Sequence, residues 1–457
     1  MLFSFWKSHL SALLIHPTEA KVLLLAQEKT WSLPNTIVKG KVDRNNFQQV
    51  KQLFESELGI KLSVLQYACD HEDTKQKHIF TTYVIEQQDP REQVTKGTWI
   101  DAHKLNKLTF AEPTLKKLLD QYLKEFISGN IPELRPPWAL PGWFSEVSAW
   151  IENQLSSLGY QQIAPIEYVK NWSISCVLKV PTDAGNFYLK EASTLPLFCD
   201  EPVITAELAK LFPQNMPKVI GYQDSWLLLE DFGEPIGSKR PPKVRQHVYQ
   251  LLATMQIASI EHCDRLLQLG CLDRRLEILS KQIELLANDE NATSGLSAPE
   301  KDRFQSLVTT LQDYCTQLGS YKIPSTLVHG DLHLGNVTFN QGNYLFFDWT
   351  DACISHPFFD FLEFFIANKS KSWLINLYHF QSDRSKARLR DYYLSQWQEY
   401  ESLERLQAAW SLAGVLCLAH HAVTYQHIIA TLEPRTKSEF ENFLPFLLRQ
   451  ILANFAN

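Results

Sequence analysis

The sequence predicts an α+β protein built from more than one domain. Strand-like runs of alternating or continuous apolar residues fill much of the chain up to about residue 240, and helical patterns fill most of the remainder. Strands gathered in one part of a chain and helices in another are typical of the α+β class. A chain of 457 residues is also longer than one ordinary hydrophobic core supports, so we expect two or three domains.

The composition excludes several classes of protein. Hydrophobic residues make up 45% and charged residues 21%, which is ordinary globular usage and excludes wholesale disorder. The net charge of −7 disfavours a general nucleic-acid binder, because such a protein needs a surplus of Lys and Arg. No apolar run reaches the ~18 residues of a membrane span. The eight cysteines include no C-x-x-C pair, so we expect reduced thiols in a cytoplasmic protein with neither nucleic-acid nor membrane partners. The oligomeric state is not predicted.

The first predicted domain covers residues 1–127. The opening MLFSFWKSHLSALLIH carries its Lys inside the apolar run and has no convincing cleavage site after it, so it predicts a buried strand rather than a signal peptide. Strand-like runs at Ala12–Ile15, Val22–Ala26 and His78–Ile85 surround one helical run at Phe47–Leu58. This mixture predicts a small α/β domain.

A break follows at residues 128–143, SGNIPELRPPWALPGW. It contains two glycines and four prolines. Because proline lacks a backbone N–H, such a stretch sustains neither a helix nor a central strand. It predicts a linker in front of a second domain at 144–457. A second polar stretch, Asn288–Lys301, predicts a loop between helices.

The second domain opens with strands and continues with helices. Trp172–Val180 alternates like a strand, Pro181–Asn186 predicts a turn, and Phe187–Lys190 predicts a second strand that ends in lysine. Asp200 or Glu201 then opens a helix, with a proline at an early position as helix starts allow.

The most informative stretch follows the apolar run Ser325–Val328. It begins with HGD, whose carboxylate is Asp331, and Asn336 lies five residues further on. Two short strands joined by the turn Asn340–Asn343 predict a β-hairpin, and Asp348 follows the second strand.

Phosphoryl transfer explains this spacing. The incoming hydroxyl needs a carboxylate that orients it and accepts its proton, and the triphosphate needs Mg²⁺, which prefers hard oxygen ligands. In the protein-kinase plan an Asp, an Asn five residues on and a second Asp after a hairpin supply these groups. Asp331, Asn336 and Asp348 reproduce that order, although Asp and Asn also cap turns often.

At these residues the sequence resembles a known family. HGDLHLGN, FFDW and HPFFDF, in this order, resemble the aminoglycoside phosphotransferase and choline kinase group of small-molecule kinases over about residues 150–457. The resemblance implies a protein-kinase-like fold, with a nucleotide lobe at 144–235 and a mostly helical catalytic lobe at 236–457. It also implies Asp331 as catalytic base, His333 as support of the loop, Asn336 and Asp348 as Mg²⁺ ligands, and ATP or GTP as phosphate donor.

The same resemblance assigns residues in the nucleotide lobe. Lys190 would reach the α- and β-phosphates, although a strand lysine that faces solvent is the simpler interpretation. Glu201 would be its partner, with Glu207 as the second choice. The hinge, whose backbone would read the edge of the base, would be formed by Leu229, Glu230, Asp231 and Phe232.

One departure from the protein-kinase pattern is plain, because no GxGxxG precedes Lys190. Asn171, Ser173 and Ser175 stand at the positions of those glycines. The aminoglycoside-type kinases also lack a strict glycine loop, so this difference disfavours a protein kinase rather than a kinase.

The predicted acceptor is a hydroxyl of a small molecule: a sugar, an amino alcohol or an aminoglycoside-like compound. Residues 351–457 carry 10 basic and 11 acidic side chains, which gives little support to a polycationic drug. Aromatic residues near the C-terminus could contact a sugar or a cationic head group. At helical spacing, however, such residues usually belong to the core, and we expect the same of His420 and His421. The aromatic residues concerned are Trp397, Tyr400, Trp410 and Tyr425.

Residues 1–127 resemble the Nudix fold. The helix before Gly59-Ile60 is similar to the end of the Nudix hydrolase box, whose glutamates bind Mg²⁺. The positions of the required acids hold Arg44, Leu53, Ser56 and Glu57, and Gln52 replaces the arginine of the box. One carboxylate is a poor holder for an ion that needs octahedral oxygen ligation. We therefore predict a Nudix-like domain without hydrolase activity, with an unrelated α+β domain as the alternative.

Three functions remain open from the sequence. The set Lys190, Asp331, Asn336 and Asp348 favours an ATP- or GTP-dependent small-molecule kinase, because an idle relative has no need of all four residues. A catalytically idle nucleotide-binding regulatory protein of the same fold is the alternative. A Nudix-type diphosphate hydrolase is disfavoured by the incomplete box.

Overall fold

The computed structural model describes residues 5–193, 198–237, 240–366 and 383–455. The chain divides into two compact units, Met1–Ser193 with Glu433–Arg435, and Thr194–Leu432 with Thr436–Asn457. The division after residue 193 lies inside the predicted nucleotide lobe. The domain limits predicted from the sequence, 1–127, 128–143, 144–235 and 236–457, therefore stay predictions.

The first unit begins with a mixed β-sheet built around its first strand. β1 runs parallel to β6, with Lys7 opposite His78, and antiparallel to β2 and β4. The strands predicted at Ala12–Ile15, Val22–Ala26 and His78–Ile85 are confirmed, and residues 1–4 of the predicted opening strand lie outside the described residues. The strands are β1 (Lys7–Ile15), β2 (Lys21–Ala26), β3 (Trp31–Ser32), β4 (Asn35–Lys39), β5 (Leu62–Asp73), β6 (His78–Gln87) and β7 (Thr98–Asp101).

Two helices pack on this sheet, and only one of them was predicted. The helix α1 covers Phe47–Leu58 as predicted, because Asn46 caps its N-terminus and Gly59 ends it in the left-handed conformation. The sequence analysis did not assign α2 (Pro113–Ser128), whose surface is rich in lysine. Its apolar side chains, such as Leu119 and Leu123, complete the core of the sheet.

The first unit ends with a helix and three antiparallel strands: α3 (Trp143–Ser157), β8 (Glu167–Asn171), β9 (Ser175–Thr182) and β10 (Gly185–Ala192). In this small sheet Lys190 lies opposite Val177. The strand predicted at Trp172–Val180 begins too early, because the N–H of Trp172 donates to the carbonyl of Ser175 and closes the turn between β8 and β9.

The second unit is mostly helical, as predicted for the part of the chain after about residue 240. Its helices are α4 (Glu201–Leu211), α5 (Pro242–Ser259), α6 (Cys263–Gln268), α7 (Leu276–Asn288), α8 (Ala298–Gly319), α9 (Leu362–Phe365), α10 (Asp383–Leu394), α11 (Leu403–Thr431) and α12 (Phe443–Asn454). Its strands are β11 (Val219–Gln223), β12 (Trp226–Glu230), β13 (Leu272–Asp273), β14 (Thr326–Val328), β15 (Val337–Asn340), β16 (Asn343–Phe346) and β17 (Cys353–Ser355).

The loop predicted at Asn288–Lys301 is shorter than expected. Its last residues form the first turn of α8, because Ser297 and Glu300 make a capping box at the helix start. The sequence contains this signal, a serine followed three residues later by a glutamate.

The core of the second unit forms around α11. This helix is apolar and long enough to cross a membrane by length and composition, but 78% of its most apolar window is buried inside the protein. His420, His421 and Trp410 are all buried, as expected of core residues. The burial is that of a central helix in a globular core.

Candidate active site

The predicted base, metal ligand and supporting histidine meet in one loop between β14 and β15. The side-chain amide of Asn336 donates to the backbone oxygen of Asp331 at 2.9 Å and lies 3.4 Å from its carboxylate Oδ2. His333 Nε2 lies 3.7 Å from the same Oδ2, while its Nδ1 accepts the N–H of Gly335. The Asp331 side chain is 45% exposed, so the loop holds a carboxylate that solvent and a substrate can reach.

The hairpin β15–β16 carries Asp348 to the same loop. Val337 pairs with Phe346, and the N–H of Phe347 donates to the backbone oxygen of Asn336. Phe347 is therefore the residue opposite Asn336, and Asp348 follows it directly. Its backbone is left-handed, with φ of +66°, a conformation that Asp tolerates better than most side chains.

A threonine hydroxyl joins Asp348 to Glu201. Thr350 Oγ1 lies 3.0 Å from Asp348 Oδ1 and 3.0 Å from Glu201 Oε2. One hydroxyl has one proton, so it donates to one carboxylate at a time. Glu201 is 3% exposed at the start of α4, where the helix dipole stabilises a negative charge.

The predicted phosphate-binding lysine and its first candidate partner belong to different compact units. Lys190 lies on β10 in the first unit, and Glu201 opens α4 in the second, so their pairing stays a prediction. The second choice, Glu207, binds Lys210 at 3.0 Å and lies 3.6 Å from Arg265. Glu201, by contrast, contacts the segment that carries Asp348.

A buried aspartate that the sequence analysis did not assign supports the catalytic loop. Asp360 is 3% exposed and accepts hydrogen bonds from the N–H of Gly330 at 3.0 Å and from Gln256 Nε2 at 2.9 Å. Burial raises the pKa of Asp360 to about 7. The backbone N–H groups of His329 and Gly330 favour its charged form and so lower the pKa, but burial has the larger effect. The signal was present in the sequence as the last aspartate of HPFFDF.

His329 and Gly330 fix the backbone in front of Asp331. His329 is fully buried, and its Nε2 donates to the backbone oxygen of Phe347 at 3.0 Å, which ties the loop to the end of β16. Gly330 has φ of +83°, and a Cβ atom there would lie 2.3 Å from the carbonyl oxygen of Asp351. Only glycine fits this position.

The predicted hinge residues form the end of β12 and the two positions after it. Leu229 is buried, Glu230 pairs with Lys218, and the Asp231 carboxylate accepts the N–H of Gly233. The ring of Phe232 lies 5.0 Å from that of Phe347, next to Asp348. Just beyond the hinge, backbone N–H groups at residues 236 and 237 donate to carbonyls at 337 and 334. The segment after the hinge is therefore tied to the start of β15 and to the turn before it.

Tyr425 of α11 lies within electrostatic range of the loop. Burial, together with the negative charges of Asp331 and Asp351, raises the pKa of Tyr425 on that helix. Of the aromatic residues considered for the acceptor, Trp397 and Trp410 are buried in the core, while Tyr400 and Tyr425 are partly exposed.

The donor set fits a magnesium ion. Asp348 offers a carboxylate, and Asn336 keeps its amide oxygen available because its nitrogen is bound to Asp331. No cluster of three or more His, Cys, Asp or Glu side chains able to hold an ion occurs in the part of the chain that the structure describes. Mg²⁺ in phosphoryl-transfer sites usually takes one or two protein carboxylates plus phosphate oxygens, so a smaller set is what this chemistry requires.

Two of the residues at the predicted positions of a degenerate Nudix box form ion pairs. Glu57, the one acid retained, pairs with Lys96 at 2.8 Å, and Arg44 at the first acidic position pairs with Asp70 at 3.1 Å. The resemblance of residues 1–127 to the Nudix fold stays a prediction.

The structure is similar to several solved structures of kinases. The structure is similar to a choline kinase from Cryptosporidium parvum Iowa II, with 14% identity, a TM-score of 0.49, and coverage of 68% of this chain and 96% of that one. It is also similar to an ethanolamine kinase from Plasmodium vivax, with 11% identity, a TM-score of 0.48, and coverage of 78% of this chain and 95% of that one. The third similar structure is choline kinase LicA from Streptococcus pneumoniae, with 14% identity, a TM-score of 0.46, and coverage of 67% of this chain and 99% of that one. No curated protein sequence gives a significant match.

A family model described as the phosphotransferase enzyme family matches residues 206–410. This range includes the loop of Asp331, the hairpin that ends before Asp348, and Asp360. The α+β, kinase-like class and the resemblance predicted from HGDLHLGN, FFDW and HPFFDF are thereby confirmed. Residues 206–410 of this chain are therefore similar to the phosphotransferase enzyme family.

Proposed function

We propose that the protein is a kinase that moves the γ-phosphate of ATP or GTP to a hydroxyl of a small molecule. The observation that carries this proposal is the joining of Asp331 and Asn336 in one loop, with Asp348 held beside them by the hairpin register. The loop, its buried support and the hairpin together supply the base and the oxygen ligands that phosphoryl transfer needs.

In the proposed reaction Asp331 orients the acceptor hydroxyl and takes its proton. The acceptor oxygen forms a bond to the γ-phosphorus as the bond from that phosphorus to the β-phosphate oxygen breaks, and the nucleoside diphosphate leaves. Asn336 keeps Asp331 in position through its amide, and Asp360 holds the backbone one residue before it. His333 lies on the Oδ2 side of Asp331 and its ring is fixed by Gly335.

We propose that Asn336 and Asp348 hold Mg²⁺ brought by the nucleotide. When bound, the ion would neutralise negative charge on the phosphates during transfer. Thr350 and Glu201 orient the carboxylate of Asp348 through the shared hydroxyl. Lys190 is proposed to contact the α- and β-phosphates with Glu201 as its partner. The backbone of Leu229–Phe232 is proposed to bind the base.

The proposed acceptor is a neutral or positively charged small molecule: a sugar, an amino alcohol or an aminoglycoside-like compound. Support comes from the negative charges of Asp331 and Asp351 beside Tyr425, because this field disfavours an acceptor that already carries phosphate. We also propose a cytoplasmic protein with neither nucleic-acid nor membrane partners. All eight cysteines are free thiols, which supports a reducing compartment.

The alternative is an idle nucleotide-binding regulatory protein of the same fold. The intact base and metal-ligand residues favour turnover over this alternative. A Nudix-type diphosphate hydrolase is disfavoured, because the single box acid, Glu57, is neutralised by Lys96.

The test is a substrate panel with two matched variants. Purified protein receives Mg-ATP or Mg-GTP with pools of sugars, amino alcohols and aminoglycosides, beside Asp331→Asn and the control Asp302→Asn, which changes an exposed aspartate on α8. We expect a phosphorylated product whose rate falls by about 10²- to 10⁴-fold in Asp331→Asn and stays unchanged in Asp302→Asn.

The other outcomes identify the alternatives. Nucleotide binding without product from any pool would support the regulatory protein. Release of mononucleotides from dinucleotides, with equal rates in wild type and Asp331→Asn, would support the hydrolase.

A further inference from the structure

The segment predicted as a linker contains two buried tryptophans. Trp138 is 1% exposed and Trp143 is 5% exposed, although both lie in the proline-rich stretch 128–143. A loose tether between domains would leave such side chains in water. The indole N–H groups of both residues donate hydrogen bonds, and their acceptors lie in the β8–β9 turn and in β10, which are predicted to contact the nucleotide.

Trp143 binds the residue that follows the predicted phosphate-binding lysine. Its Nε1 donates to Glu191 Oε2 at 2.5 Å, and Glu191 is 2% exposed. A carboxylate this deeply buried needs a partner, so this hydrogen bond is a strong constraint. Successive side chains of a strand point to opposite faces. Fixing Glu191 on one face of β10 therefore fixes the backbone from which Lys190 projects on the other.

Trp138 binds the turn between β8 and β9. Its Nε1 donates to the backbone oxygen of Trp172 at 2.9 Å. This turn occupies the place of the glycine loop that covers the phosphates in protein kinases. Asn171 at its start is 3% exposed, and its amide nitrogen has no acceptor among the residues that the structure describes. A buried amide donor without a partner is costly, and a phosphate oxygen is an acceptor that would satisfy it.

The same segment is anchored on the N-terminal sheet. The N–H of Gly142, next to Trp143, donates to Glu86 Oε2 at 2.9 Å, and Glu86 at the end of β6 is 4% exposed. On the other side of α3, the buried Lys51 of α1 donates to the backbone oxygen of Ile166 and lies 5.1 Å from the ring centroid of Phe144. All of these residues belong to the first compact unit.

We propose that Trp138–Trp143 is a brace in which the two tryptophans act as positioning residues for the nucleotide phosphates, with Glu86 as its anchor. The inference rests on the proposed kinase function, and it extends that function to the front domain, which is the predicted domain at residues 1–127. The front domain then serves to hold the β8–β9 turn and Lys190 in place for the triphosphate. Ordinary packing between neighbouring segments would give the same contacts without any selective effect on the nucleotide.

The test separates these two roles by removing single N–H donors. Trp138→Phe and Trp143→Phe keep an aromatic ring but lose the hydrogen bond. The control is Trp99→Phe on β7, whose ring packs against His16 away from these strands. We expect the KM for the nucleotide to rise about three- to tenfold in each brace variant, as for the loss of one hydrogen bond. The KM for the acceptor should stay within about twofold, and the control should match wild type.

Glu191, which accepts the hydrogen bond from Trp143, gives an independent comparison. Glu191→Gln still accepts the hydrogen bond and should keep the wild-type nucleotide KM. Glu191→Met loses it and should match Trp143→Phe, and combining Glu191→Met with Trp143→Phe should add no further loss, because both remove the same bond. If Trp143→Phe does not fold by circular dichroism, Glu86→Met against Glu86→Gln provides the same comparison from the anchor.

Nucleotide affinity is also measured without turnover, by calorimetric titration with Mg-ATP. Folded Trp138→Phe and Trp143→Phe proteins with unchanged nucleotide KM, or with equal rises in both KM values, would overturn the brace. A wild type that binds Mg-ATP but transfers no phosphate would refute the kinase and leave the brace to be judged on Kd. A wild type that neither binds nor transfers would refute the kinase and the brace together.

Discussion

The position of the Asp331 carboxylate, the proposed base, depends on buried residues around it. Asp331 is 45% exposed, whereas Asp360, which holds Gly330, is 3% exposed. Gly330 stands between the two and has a backbone conformation that favours glycine. The position of the proposed base is thus set by a buried aspartate and by the lack of a side chain at residue 330.

Gly330→Ala is expected to destabilise the second unit and to abolish most activity. The new Cβ would lie 2.3 Å from the carbonyl oxygen of Asp351, so the backbone must move in addition to accepting left-handed strain. We expect a loss of about 3 kcal/mol in the free energy of unfolding, measured with urea. Gly342→Ala is the control, since its φ of +87° is similar but nothing lies within 4 Å of its Cβ. That variant should lose about 1 kcal/mol, and equal losses would contradict the steric argument.

Among the elements, the β15–β16 hairpin and the residues after it organise the proposed metal site. The register of the hairpin sets Asp348 beside Asn336, and Thr350 links Asp348 to the start of α4. The orientation of the proposed metal ligand therefore depends on one hydroxyl between two carboxylates.

Thr350→Val is expected to raise the concentration of Mg²⁺ that activity requires. The variant keeps the size of the side chain but leaves Glu201 and Asp348 without the hydrogen bond that separates and orients them. We expect the Mg²⁺ concentration for half-maximal activity to rise about three- to tenfold, in proportion to one lost hydrogen bond to a charged group. Thr350→Ser retains the hydroxyl and should behave like wild type. A similar Mg²⁺ requirement in all three proteins would show that the hydroxyl does not support the metal site.

The elements differ in how well the sequence predicts them. The bounds of α1 were predicted correctly because a capping asparagine and a left-handed glycine delimit an apolar period. The first turn of α8 was missed although its capping box is local. The strand β8 was missed because its few residues acquire their partners only by pairing with β9. Likewise Asp331, Asn336 and Asp348 lie within one short stretch and could be found by spacing, whereas the role of Asp360 depends on contacts with Gln256 from a distant helix.

At the scale of the whole molecule, the front domain and the first strands of the second domain form one compact unit. This unit extends to Ser193 and includes the predicted linker. Lys51, on the helix that resembles the Nudix box, is 4% exposed and is used for packing against Ile166 and Phe144. The sequence showed a proline-rich boundary there but not this packing, because a buried lysine is recognised only from its partners.

Glu86→Gln is expected to flatten the pH dependence of stability. Burial raises the pKa of Glu86 to about 7, so the folded chain keeps a proton that the unfolded chain loses near its ordinary pKa of 4.5. The stability contributed by Glu86 is full at pH values below 4.5 and falls as the pH rises towards 7, by up to about 3 kcal/mol. Glutamine still accepts the N–H of Gly142 and does not titrate.

The measurement is urea unfolding of both proteins at about pH 5 and about pH 8. Wild type should lose more free energy of unfolding between these values than Glu86→Gln. Parallel losses would mean that the side chain is already ionised in the folded protein at the lower pH.

The segment Glu433–Arg435 gives the first unit an unusual dependence on the order of synthesis. Arg135 is 6% exposed and donates to Glu433, which lies 298 positions later in the chain. While the protein is being made, the front of the chain leaves the ribosome long before that carboxylate exists. Until translation has passed residue 433, the carboxylate available to the Arg135 guanidinium from its own part of the chain is that of Glu125. The first unit is therefore completed only after the helices of the second unit up to α11 have been made.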